Sequence, residues 1–167
     1  MTTTETTEIT TMQHAECVPE AAANIFNSTC GVQVTPASCE NVDTADGIII
    51  AVISLVGDLE WSIFLGLPKP TATEAAAKFA GFAIPFESAD MGDAVGELTN
   101  IFAGEVKAIL NKRGVNVEIS LPSVIRAQSI EVLVQRSSAA EKVCFDSPLG
   151  KFWTGVTSGK APTLTVS

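Results

Sequence analysis

Glu97 and Asn100 lie three residues apart, and Gly104, Lys107 and Asn111 follow at spacings of four, three and four. On an α-helix these positions share an arc of about 80°. Val95, Leu98, Phe102, Val106, Ile109 and Leu110 fall on the opposite side. The spacing predicts an amphipathic helix with a narrow polar ridge above an apolar stripe. An amide one turn from a carboxylate sets a group that both donates and accepts hydrogen bonds beside a negative charge. Gly104 interrupts the ridge, where a mid-helix glycine costs about 1 kcal/mol relative to alanine. Having no side chain, it leaves room for a second backbone to approach. Gly104, Lys107 and Asn111 are therefore candidate contacts for a protein partner. An ordinary solvated face is the alternative that periodicity alone leaves open.

No Cys/His or Ser/His/Asp set accompanies the pair to suggest nucleophilic catalysis. The single histidine is His14, and the cysteines, Cys17, Cys30, Cys39 and Cys144, form no CxxC pair. A structural zinc site needs four clustered nitrogen or sulfur ligands, so none is expected. The cysteines are expected to be reduced and buried as small apolar side chains. Net charge is −9, and its distribution is uneven. The first 68 residues hold nine Asp or Glu and no Lys or Arg, whereas the other 99 hold ten of each sign. Such a surface disfavours nucleic acid and anionic membranes as partners. No apolar run reaches the ~18 residues that span a bilayer. Met1 to Gln13 is Thr-rich, acidic and free of Lys and Arg, unlike a signal peptide. The expectation is a cytoplasmic chain with a flexible leader over 1–14 and a single domain over 15–167.

A helix that positions the ridge needs a start and a stop. Ser88 or Asp90 can cap it, Asp93 puts negative charge in its first turn, and Lys112 and Arg113 sit before Gly114 at its end. An earlier helix is expected from about Val18, with Pro19 in its first turn and Gly31 closing it. A third runs from Thr71 to Phe79, opened by Thr71 or Thr73 and closed near Gly81. Val32 to Val34, Gly47 to Val56, Leu59 to Leu65, Val115 to Leu121, Ser129 to Gln135, Lys142 to Phe145 and Lys151 to Val156 read as strands. A tight Gly57-Asp58 turn separates the second from the third. Asn24-Ile25-Phe26 returns as Asn100-Ile101-Phe102, and Gly31-Val32-Gln33-Val34 as Gly114-Val115-Asn116-Val117. The two Asn-to-Gly distances differ by seven residues, close to two helical turns. A duplicated helix-plus-strands unit, about 16–70 and 88–157, accounts for this. The class is α+β.

The stretch Asp93 to Lys107, read with Ile119-Ser120-Leu121-Pro122-Ser123-Val124-Ile125, resembles the CheC/CheX/FliY phosphatases, CheX most of all. The resemblance implies the CheC-like fold, in which two helix-plus-strands units merge into one sheet with long helices packed on it. It also implies removal of the phosphoryl group from the aspartyl phosphate of a CheY-like response regulator. In that family an acidic-amide pair lies one turn apart on a long exposed helix, and Glu97 and Asn100 match it. Asn100 would orient the attacking water, and Glu97 would pair with a lysine of the receiver. The receiver would supply the divalent metal, magnesium, so no cofactor of the chain's own is implied. A homodimer is implied as well. CheC-type members carry a second pair on the first helix; here Asn24 is present, but the glutamate position is Ala21. Arg126-Ala127 stands where the family tends to have a small residue, which leaves the form of the local turn open. A non-catalytic binding or adaptor module of the same fold, in chemotaxis or the flagellar switch, is the alternative; an intact Glu97/Asn100 pair argues for the enzyme.

Overall fold

The computed structural model describes residues 12–40, 42–129 and 139–158. Helix α1 spans Cys17–Cys30 and buries Val18, Ala21, Ala22, Ile25 and Phe26. It ends where Gly31 adopts φ 68°, a left-handed conformation that glycine takes without steric cost. The Gly31 and Val32 amides then bond to the Asn27 and Phe26 carbonyls. Val32 and Val34 pack on the core instead of entering a ladder. The expected strand there is displaced to β1, Thr35–Ala37.

Strands β2 (Ile48–Gly57) and β3 (Glu60–Pro68) form a hairpin with Val56 opposite Glu60. A side chain at Gly57 would run into the Asn116 carbonyl, so the turn admits only glycine at that close approach. Helix α2 spans Lys69–Ala80. Neither expected threonine caps it: Thr71 is buried and donates to the Lys151 carbonyl at 2.6 Å, and Thr73 donates to the Lys69 carbonyl at 2.8 Å. Pro68 occupies the cap and another proline stands in the first turn, where a missing N–H costs nothing. Helix α3 spans Ala89–Lys112, and its cap is Ser88, whose Oγ accepts from the Met91 amide at 3.3 Å.

Among the described residues, strands β4 (Val117–Ile119), β5 (Ser123–Ala127), β6 (Ala139–Asp146) and β7 (Phe152–Ser158) complete a seven-stranded sheet. Arg126 and Ala127 stand in strand β5, opposite Ile49 and Ile48, not in a turn. The strand expected over Ser129 to Gln135 lies, beyond Ser129, outside the described residues. The strand order is β1-β6-β7-β3-β2-β4, with β5 also paired to β2. It reads the same when the α1–β3 unit is exchanged for the α3–β7 unit, which is the arrangement a duplicated unit would give. The α+β class and the merging of the two units into one sheet hold.

Alternation along β2 separates two apolar faces. Ile49, Ala51, Ile53 and Leu55 join the core beneath the helices, while Ile48 and Ile50 cluster with Cys144 and Trp153 on the other face. Two cysteines depart from the expectation that all are reduced: Cys39 and Cys144 form a disulfide across 105 residues. The cause is register, because β1 sets Ala37 opposite Cys144 and so brings Cys39 alongside. Cys17 and Cys30 are free and buried. No helix among the described residues is long and apolar enough to cross a membrane.

Candidate active site on the long helix

Helix α3 is seated by Met91, Val95, Leu98, Phe102 and Val106, each at most 2% exposed. Their spacing turns Glu97 outward and leaves Asn100 half-buried. Both line an open depression of about 480 Å³, together with Gly92, Asp93 and Gly96 on the same helix and Pro122 and Val124 beside β5. The glycines make the hollow. A Cβ at Gly96 would sit 3.8 Å from Val124 Cγ2 and 4.0 Å from Pro122 Cγ, and one at Gly92 would meet nothing within 4 Å. Among the described residues, neither Glu97 nor Asn100 has a hydrogen-bond or ion-pair partner, so both are free to act on something else.

The rest of the ridge lies beyond the depression. Gly104 is half-buried, and a Cβ there would meet nothing within 4 Å. Lys107 pairs with Glu118 of β4 at 2.9 Å, and Asn111 is exposed near the helix end. Glu97 to Asn111 covers about 21 Å of helix axis, a span suited to a protein surface more than to a small molecule. The structure thus brings Glu97 and Asn100 into one hollow and leaves Gly104, Lys107 and Asn111 in line behind it.

Sequence reasoning missed the opposite wall, Pro122 and Val124, and the two glycines on the flank. Gly92 and Gly96 carried a signal, since glycines four apart on a helix clear one strip of its surface. The first helix offers no counterpart site. Asn24 donates to Glu105 Oε1 at 2.9 Å, which ties α1 to α3, and Ala21 is 0% exposed. The place of a second glutamate is therefore inside the core.

Lys69 bonds to Glu87 at 3.0 Å, and that hydrogen bond holds the Glu87 carboxyl below its ordinary value. Burial pushes the Cys17 thiol up to about 12, so it does not offer a thiolate nucleophile. Among the described residues no three His, Cys, Asp or Glu side chains gather as a metal site. What remains is the half-buried Asn100 amide beside the exposed Glu97 carboxylate, over a glycine-lined hollow that Asp93 also lines. Such a pair can position a water and hold a cation, without itself forming a covalent bond.

Residues 49–146 match the model of the family described as chemotaxis phosphatase CheX. No match was found among curated proteins. Among solved structures, the chain is similar to a chemotaxis protein CheX from Desulfovibrio desulfuricans, at 24% identity and a TM-score of 0.74 over 88% of this chain and 99% of that one. It is similar to a CheC-like superfamily protein from Shewanella sp. PV-4, at 17% identity and a TM-score of 0.76 over 88% and 97%. It is also similar to a chain of the CheX-CheY-BeF3-Mg complex from Borrelia burgdorferi, at 21% identity and a TM-score of 0.67 over 87% and 96%.

Proposed function

Because the chain belongs to the chemotaxis phosphatase CheX family, we propose that it hydrolyses the aspartyl phosphate of a CheY-like response regulator at Glu97 and Asn100. The observation that carries the reading is their meeting, unpartnered, in one open depression on α3. The Borrelia burgdorferi relative, whose structure holds CheY with beryllofluoride and magnesium, supports the choice of partner.

An aspartyl phosphate is an acyl phosphate. Hydrolysis joins a water oxygen to phosphorus and breaks the bond to the receiver's carboxylate, which leaves as an anion. The receiver brings its own divalent metal and charge stabilisation, so what the partner adds is chiefly a well-placed water. An amide suits that task. The Asn100 carbonyl oxygen accepts from the water while its NH2 donates to a phosphoryl oxygen. A carboxylate at the same point would repel the phosphoryl group. Glu97, one turn away and at the rim, pairs with a receiver lysine and fixes the dock. Gly104, Lys107 and Asn111 extend the contact along the ridge. Neither Glu97 nor Asn100 acts as base or nucleophile. A homodimer is part of the same reading, and light scattering of the purified chain tests it.

The experiment for the reading is incubation with phosphorylated cognate receiver while phosphoryl loss is followed. Loss faster than from the receiver alone supports it, and an unchanged rate with a receiver that binds the chain would favour an adaptor instead.

A further inference from the structure

Pro122, Val124 and Arg126 are two apart in extended chain, so their side chains share a face. The first two line the depression beside α3, and the third reaches past it to the helix start. Pro122 and Val124 face α3 at Gly96, where the strand meets no side chain, although Val124 also packs against the main core.

Arg126 supplies what the glycine contact lacks. Its Nη1 donates to the carbonyl of Phe86 at 2.9 Å and to that of Ser88 at 2.9 Å. The guanidinium also lies over the Phe86 ring, 6.0 Å from its centroid. Phe86 is 5% exposed, and Ser88 is the residue whose side chain caps α3. Hydrogen bonds from a charged donor are stronger than neutral ones, and the planar guanidinium holds two acceptors in fixed directions. The clamp thus joins the cap of the helix that carries Glu97 and Asn100 to the strand that carries the facing wall. Met91, Val95 and Leu98 keep α3 seated from the core side, so the clamp governs register more than folding.

The geometry points to Arg126 as a positioning residue for the candidate site: it holds the first half of α3 in register with β5 and so sets where Asn100 stands over the Pro122–Val124 wall. Its effect on rate rests on the dephosphorylation reading; its effect on geometry does not.

Two variants separate the roles. Arg126→Met keeps the apolar stem and removes the donors, while Arg126→Lys keeps a cationic donor without the planar fork. In the isolated protein, NMR reads the side-chain amide of Asn100 and the backbone amide of Gly96. Both resonances move in Arg126→Met and return toward wild type in Arg126→Lys. With phosphorylated receiver, kcat falls about tenfold or more in Arg126→Met, since ångström-scale misplacement of a water is costly. KM stays within about threefold, because the docking ridge is intact, and Arg126→Lys, which keeps the charge but not the planar fork, regains only part of the rate. Unmoved resonances in Arg126→Met overturn the inference. So does a failure of that variant to fold, or an equal loss in both variants. Should wild type accelerate no receiver's dephosphorylation, the phosphatase reading falls and the resonances alone decide the clamp.

Discussion

At the residue scale, burial separates two positions that the sequence repeat makes equivalent. Glu97 is exposed and Ala21 is 0% exposed, although each stands three residues before an asparagine. Ala21→Glu is therefore expected to destabilise the fold by about 3 kcal/mol or more, because an unpaired carboxylate enters the core. It creates no second site. A thermal melt reads the first part, at about 2–4 °C per kcal/mol for a chain of this size. Dephosphorylation with Asn100 replaced reads the second; activity persisting in that background would show the first helix to be a latent site. Helical periodicity makes the polar ridge legible by angle alone, and the resemblance to the phosphatase family singles out Glu97 and Asn100 on it. The surroundings of that pair were not legible. Pro122 and Val124 come to the site through β5 pairing with β2, and Arg126 through a bond to the cap of α3. Such contacts depend on strand register, which no local spacing reveals.

At the element scale, the helices were legible wherever their ends carry chemistry of their own. Gly31, Gly81 and Ser88 stop or start them as expected. The short strands at the edges are the hardest to read: β1 lies just beyond the strand expected over Val32 to Val34, β4 is a three-residue piece of the one expected over Val115 to Leu121, and β5 falls where no strand is expected and the resemblance leaves a turn open at Arg126-Ala127. Pairing with β2, not propensity, makes β5 a strand. The glycine on the polar ridge of α3 gives a prediction that divides stability from function. Gly104 has open space around it, so Gly104→Gln is expected to raise stability by up to about 1 kcal/mol through helix propensity. The same side chain stands on the docking ridge one turn beyond Asn100 and is expected to slow receiver dephosphorylation. A melt and an activity assay on one preparation check both. Unchanged activity would remove Gly104 from the interface, and a lower melting temperature would show that it packs against its own fold.

At the scale of the whole molecule, two helix-and-strand units share one sheet, the helices cover one face, and the disulfide lies on the other. The element order conveyed that class, but the Cys39–Cys144 link was hidden by 105 residues of intervening chain. Cross-linking so long a loop restricts the unfolded chain and typically contributes about 2–4 kcal/mol. Reductant is expected to lower the melting temperature accordingly, while the rate of receiver dephosphorylation at 25 °C stays the same, because Cys144 clusters on the face away from α3. A reduced protein with an unchanged melt would show that the link adds nothing to stability. In the proposed reaction the unpartnered amide over the glycine-lined hollow places the attacking water. Comparison of wild type with Asn100→Ala on phosphorylated receiver, following phosphoryl loss and receiver binding together, tests this. Binding is expected to persist, the melt to move by less than about 0.5 kcal/mol equivalent, and hydrolysis to fall to the receiver's own rate. Full activity in Asn100→Ala would contradict it.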